Sequence, residues 1–299
     1  MILAADIGGT KALLALFADA GREPAFELRV AAAEFDDFES LMARFLDQAR
    51  AALGAAPRID AACLGVAGPV RGEQVRVTNL PWTIDAARLR SRFGIARLAL
   101  LNDFAAAAWG IGALSPPDMV TLQVGAPEDG AARVVLGAGT GFGVAYIVGG
   151  VPVAGEGGHG GFAPAGAEQA ALWRHLHERL GRVRQEDVLS GPGLSRIHEF
   201  ITGEQAAPEA VAPRALDLFI ACYGAAAGDH ALNVMARGGV FVAGGIAPRI
   251  LPRLAAGGFL AAFNDKGTFA EHMRRTPVHV VTNERLGLIG AAVAAARRA

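Results

Sequence analysis

The chain has 299 residues, 52% of them apolar and 19% charged, which suits one or two packed domains with a sizeable core and excludes a disordered chain. Its net charge of −1, with Lys and Arg scattered, lacks the basic stripe that nucleic-acid binding requires. No apolar run is long enough to span a bilayer and no basic leader opens the chain, so a cytoplasmic protein with neither nucleic-acid nor membrane partners is expected. Cys63 and Cys222 have no CxxC spacing and no clustered histidines, which argues against zinc. Two buried thiols are expected, with a long-range disulfide as the alternative.

Residues 2–5 read as a buried strand, Gly8-Gly9-Thr10 as a turn and residues 12–17 as the returning strand. Phe38, Leu41, Met42, Phe45, Leu46, Ala49 and Leu53 recur at helical spacing, which predicts a helix over residues 36–53 stopped by Gly54. Asp19, Asp36 and Asp37 read as solvated turn and cap residues. Residues 61–66 and 97–101 read as short strands; Asn102-Asp103 ends the second, and an Ala-rich helix follows to about Gly112. The breaker cluster Ser115-Pro116-Pro117 marks a domain boundary. Beyond it the opening pattern recurs: residues 133–136 enter the glycine turn Gly137-Ala138-Gly139-Thr140-Gly141, and a strand over 144–148 leaves it. A third turn, Gly244-Gly245, follows a strand over 240–242. Mixed strands and helices with glycine turns at strand ends predict an α/β fold with ligands at those ends. The repeated strand, turn and strand suggests two related domains.

Three constellations carry chemistry. In Asp6-Ile7-Gly8-Gly9-Thr10 the glycines let backbone N–H groups crowd a phosphate, Thr10 adds a hydroxyl, and Asp6 suits a magnesium ion that keeps several waters. The rival phosphate motifs fail: no GxxxxGK[ST] exists, and Phe142 stands where GxGxxG needs its third Gly. Asn102-Asp103 at a strand end is suited to orient a hydroxyl and take its proton; read alone, the pair is better explained as a helix N-cap, because an Ala-rich helix follows at once. Glu156-Gly157-Gly158-His159 sets a carboxylate and an imidazole where both can face a polyhydroxylated ligand, and Glu186 stands ahead of a further Gly-Pro-Gly turn. His175, His177, His198, His230, His272 and His279 lack polar clusters and read as surface or packed residues.

Taken in order, these pieces resemble the bacterial glucokinases of the hexokinase/actin-like superfamily, in the group without a zinc-binding cysteine cluster. The resemblance rests on Asp6-Ile7-Gly8-Gly9-Thr10, Thr78-Asn79 with Trp82, Asn102-Asp103-Phe104, residues 137–143, Gly155 to His159 with Phe162-Ala163-Pro164, residues 188–194, Ala243-Gly244-Gly245-Ile246 and residues 263–267. It implies two actin-like (ribonuclease H-like) α/β domains flanking an active-site cleft. Residues 1–112 would form a small domain, completed by a C-terminal helix at about 288–299, and residues 113–287 a large one. It also implies an ATP-dependent kinase that acts on the 6-hydroxyl of glucose and works with Mg²⁺ as a cytoplasmic homodimer. By the same resemblance Asp103 is the general base, and Asn102, Glu156, His159 and Glu186 bind the other hydroxyls. Gly8, Gly9, Thr10 and Lys11 form one phosphate loop, Gly137, Gly139 and Thr140 the other. Gly244 and Gly245 belong to the adenosine site, and Asp6 holds Mg²⁺ through water. The chain departs from the family pattern at Lys11 and Leu13, where Asn and Arg are usual, and at Gly160-Gly161, where Val-Asp is usual. Fructose, mannose or glucosamine stay open as substrates, and a sugar sensor or an actin-like ATPase as other classes.

Overall fold

Strand β1 (Ile2–Ile7) is apolar at nearly every position because it lies inside a sheet, buried on both faces. The computed structural model describes residues 1–18 and 23–297; Asp19 lies outside them. The chain divides into two units, Met1–Leu114 with Arg285–Ala299, and Ser115–Glu284.

In the first unit, β1 is followed by β2 (Lys11–Phe17), β3 (Phe26–Ala31), α1 (Phe38–Leu53) and β4 (Ala61–Val66). A small sheet of β5 (Val70–Arg71), β6 (Gln74–Arg76) and β7 (Thr83–Asp85) comes next, then α2 (Ala86–Phe93), β8 (Arg97–Asn102) and α3 (Asp103–Gly110). The main sheet has the order β3-β2-β1-β4-β8. The first three strands are antiparallel, while β4 and β8 continue parallel to β1. The C-terminal helix, Leu286–Arg297, packs on α3 and β1.

Several local expectations shift. Strand β1 runs on through Asp6, so that carboxylate is borne by a strand rather than by the turn. Helix α1 starts at Phe38, because Asp37 caps it by accepting the Ser40 N–H at 2.7 Å. Leu53, expected on the buried face, is exposed in the last turn before the left-handed Gly54. Helix α3 ends at Gly110, and the chain tightens into a 3₁₀ turn over Ile111–Ala113.

The second unit holds β9 (Met119–Gln123), β10 (Arg133–Ala138), β11 (Phe142–Val148) and β12 (Val151–Gly155). Helices α4 (Gly166–Leu180), α5 (Gln185–Val188), α6 (Gly191–Thr202) and α7 (Pro213–Asn233) follow. The unit closes with β13 (Val240–Ala243), α8 (Leu251–Ala255), α9 (Gly258–Asn264), α10 (Ala270–Arg275) and β14 (Val278–Val281). Its sheet order, β12-β11-β10-β13-β14, repeats that of the first unit, with β9 added antiparallel at the far edge. Helix α7 supplies the core, where Phe219, Tyr223 and Phe259 pack edge to face. Cys63 and Cys222 are both buried and outside any disulfide. Among the described residues no helix is long and apolar enough to cross a membrane.

Candidate active site

In the first unit the register pairs Asp6 with Gly65, and Gly65 with Leu101. Asp6 and Asn102-Asp103 therefore emerge at the carboxyl ends of parallel strands, where open α/β sheets present groups to ligands. The Gly8-Gly9-Thr10 turn is closed by the Gly8 N–H donating to the Lys11 carbonyl at 2.9 Å, and Thr10 and Lys11 stand exposed. Gly9 lies so close under Thr78 and Asn79 that a Cβ would sit 2.9 Å from the Thr78 carbonyl oxygen. Asn79 takes left-handed backbone, φ 64°. Burial pushes the Asp6 carboxyl up to about 6, with the Arg29 charge opposing. Gly287, at the start of the C-terminal helix, comes so near that a Cβ would be 2.5 Å from Asp6 Oδ2.

The cap of α3 is Asn102 rather than Asp103: its Oδ1 accepts the N–H of Phe104 at 3.0 Å and of Ala105 at 3.2 Å. Asp103 becomes the first helical residue, one carboxylate oxygen accepting from Phe104 N at 2.9 Å. With Oδ1 in the cap, the amide Nδ2 is what Asn102 offers a ligand.

In the second unit one arginine gathers the polar groups. Arg184 donates from Nε to Asp187 Oδ2 at 3.0 Å and from Nη2 to Oδ1 at 2.8 Å, a bidentate pair that fixes the guanidinium plane. Burial would raise the Asp187 carboxyl, but the hydrogen bonds from Arg184 and the charges of Arg184 and Arg196 hold it below the usual carboxylate range. The remaining nitrogen, Nη1, lies 3.1 Å from His159 Nδ1 and 3.6 Å from Glu186 Oε1. A guanidinium can only donate, so His159 Nδ1 accepts and the ring proton sits on Nε2. That nitrogen is 3.8 Å from Glu156 Oε2. Arg182 Nη2 also donates to the His159 carbonyl at 3.1 Å. Glu156 and His159 are both exposed, and Glu186 is more enclosed.

Glu186 ties this group to the second glycine turn. Its Oε2 accepts the Phe142 N–H at 3.0 Å and overlies Gly141 so closely that a Cβ there would push the carboxylate aside. Gly137, expected in the second glycine turn, instead lies within β10, which runs on through Ala138 and pairs it with Gly143 and Ala243; Gly139 and Thr140 lie at the β10–β11 turn, where the Gly139 N–H donates to the Gly141 carbonyl and the Gly139 carbonyl accepts from Gly191 N, each at 2.8 Å. Gly244 (φ 82°) and Gly245 lie beside it, through the pairing of Gly137 with Ala243 and the bond from Ile246 N to the Ala138 carbonyl. The unit thus brings together Glu156, His159, Glu186 and both of its glycine turns.

Two residues of this assembly escape sequence reading. Arg184 carries no motif; with Asp187 three residues on, it looks like an ordinary helix-start pair. His230, expected to lack polar partners, instead uses both ring nitrogens: Nδ1 is 2.8 Å from Tyr146 Oη and Nε2 is 2.9 Å from Gln185 Oε1. Burial holds its imidazole below the ordinary range, with Asp229 opposing.

The family model described as Glucokinase matches residues 3–298. A glucokinase of Synechocystis sp. is 37% identical, covering 99% of this chain and 98% of its own length. The crystal structure of a glucokinase from an Antarctic psychrotroph superposes with a TM-score of 0.85 at 30% identity, covering 99% of this chain and 98% of its own. A glucokinase from Balamuthia mandrillaris in complex with glucose shares the fold at a TM-score of 0.81 and 24% identity, with 98% and 93% covered. Mixed α/β units of this order, with relatives matched over their whole length, make the chain a member of the glucokinase family, the ATP-dependent kinases of glucose with the actin-like ATPase fold.

Proposed function

We propose that the chain moves the γ-phosphoryl group of ATP to the 6-hydroxyl of glucose, with Asp103 as general base. The observation that carries this reading is the Arg184 cluster, which holds His159 and Glu186 together and joins Glu186 to a glycine turn suited to phosphate. Glu156 and Glu186 accept from sugar hydroxyls, His159 Nε2–H and the Asn102 amide donate, and Asp103 takes the 6-hydroxyl proton as the oxygen attacks. The new bond runs from that oxygen to the γ-phosphorus, and the bond to the bridging oxygen of ADP breaks. Gly9 and Thr10 on one turn and Thr140 on the other offer backbone N–H and hydroxyl groups to the phosphates and Lys11 its ammonium, while Gly8, Gly137 and Gly139 let the backbone come close, the N–H groups of Gly8 and Gly139 being used inside their own turns. Gly244 and Gly245 leave room for the adenosine.

The residues fit a magnesium ion. Among the described residues no cluster of three or more His, Cys, Asp or Glu side chains exists to cage a metal, whereas Mg²⁺ in phosphoryl-transfer sites needs only one or two carboxylates besides phosphate oxygens and water. Asp6, partly buried with a carboxyl raised by that burial, is such a carboxylate. When bound, the ion supplies charge neutralisation at the phosphates. A cytoplasmic homodimer feeding glycolysis completes the proposal, on the strength of the family membership.

A steady-state assay with Mg-ATP over a panel of hexoses tests the reading. Glucose should give by far the highest kcat/KM; a lead for fructose, mannose or glucosamine overturns the glucose assignment, and no turnover with any sugar overturns the kinase assignment.

The raised Asp6 carboxyl gives a separate expectation. The folded state keeps this proton up to about pH 6, the unfolded chain only to its ordinary 3.8. The cost to stability is therefore absent below 3.8, grows between 3.8 and 6, and is fully present above. Asp6→Asn should raise unfolding stability by about 2 kcal/mol at neutral pH, somewhat less than the full shift because water partly reaches the group. The gain should vanish below pH 4, with activity lost throughout. Urea unfolding in metal-free buffer at three pH values measures it; a pH-independent difference refutes the assignment of the cost to Asp6.

A further inference from the structure

His230 lies on α7 and is 4% exposed. Ala226, Ala227 and Ala231 beside it on that helix pack into the core. The imidazole does something a leucine cannot. Its Nδ1 meets Tyr146 Oη on β11, and its Nε2 meets Gln185 Oε1 at the first residue of α5. These two elements bracket the Glu156-Gly157-Gly158-His159 loop. Strand β11 leads through the β12 hairpin into Glu156, and α5 carries Glu186. Gln185 also donates its backbone N–H to the Gly160 carbonyl at 2.9 Å, just past the loop. The ring itself forms the floor: a Cβ on Gly157 would come within 2.8 Å of His230 Cε1.

The chemistry of the three partners is matched. Gln185 Oε1 accepts, so Nε2 carries the proton, and Nδ1 then accepts from the Tyr146 hydroxyl. A neutral ring has one donor and one acceptor, and both are used. Burial favours that neutral form. Tyr146 is further held by Asn233, one turn along α7.

We propose that His230 is a positioning residue for the sugar-binding loop, bridging β11 to α5 and thereby setting Glu156 and His159 in register with Glu186. The proposal rests on the sugar-site reading given above, and its test separates the two. Tyr146→Phe removes one oxygen and His230→Ala removes the bridge and the floor. With the full-length protein, His230→Ala should raise the glucose KM by about tenfold and Tyr146→Phe by about threefold. The KM for Mg-ATP should stay within about twofold in both. The double variant should be no worse than His230→Ala, since both break one linkage. In the unliganded protein, amide hydrogen exchange over residues 156–161 should quicken in both variants.

A His230→Ala protein with lowered melting temperature, unchanged glucose KM and unchanged exchange in the loop would reduce His230 to packing and overturn the proposal. Equal rises in both KM values would do the same. If His230→Ala does not fold, Tyr146→Phe decides: unchanged glucose KM and loop exchange overturn it. A wild-type enzyme that shows no saturation with glucose would instead defeat the sugar-site reading, while the exchange measurement still judges the bridge.

Discussion

Asp103→Asn is expected to lower kcat for glucose phosphorylation by about a thousandfold while leaving glucose affinity within a few-fold. The substitution keeps the shape and the local hydrogen bond, since an amide oxygen can still accept from Phe104 N as the carboxylate does at 2.9 Å. The cap of α3 is untouched because Asn102 provides it. The cost to folding is the loss of one negative charge in the first helical turn, about 0.5 kcal/mol. What disappears is a group able to take a proton as the 6-hydroxyl attacks. Steady-state kcat beside a calorimetric titration with glucose separates the two effects. Activity within about tenfold of the wild type would remove Asp103 from the chemistry.

Gly158→Ala should cost at least about a hundredfold in kcat/KM for glucose. Gly158 is buried, and a Cβ there would overlap the carbonyl oxygen of Phe142. The obstacle is backbone, and the same residue's N–H is bonded to Glu186. Neither side can give without moving the loop or the glycine turn, and a shift of about 1 Å in a binding group suffices for such a loss. Overpacking adds about 1–3 kcal/mol of destabilisation. Gly161→Ala is the control in the same stretch, because a Cβ there meets nothing within 4 Å. It should behave like the wild type. If the two variants are alike, the tight approach at Gly158 plays no part in sugar binding.

The parts of this site legible in the amino-acid order are those whose chemistry is local. A Gly-Gly-Thr turn between two apolar runs is a strand connection whatever the rest of the chain does, and α1 follows from its apolar spacing and from Asp37 and Gly54 at its ends. The near miss at Leu53 has the same origin: spacing reports a face, not where solvent begins at the end of a helix. Asn102-Asp103 could be located as a strand end leading into a helix, but which of the two caps depends on side-chain geometry. His230 and Arg184 were illegible for a different reason. His230 finds Tyr146 84 residues away and Gln185 45 residues away, and Arg184 reaches back 25 residues to His159. Such partners are chosen by the packing of α7, β11 and α5, and no local pattern records it.

The bond from the Phe142 N–H to Glu186 carries a thermodynamic consequence. In the roles proposed above, Glu186 would serve both a sugar hydroxyl and the backbone of a phosphate turn, and could not answer to one ligand without the other being affected. Glucose drawing on Glu186 would then alter the electrostatic environment of the turn, and phosphate at the turn would alter the strength of Glu186 as an acceptor. The two binding free energies would share a coupling term, and linkage requires such a term to be reciprocal: the factor by which glucose changes nucleotide affinity would be the factor by which nucleotide changes glucose affinity.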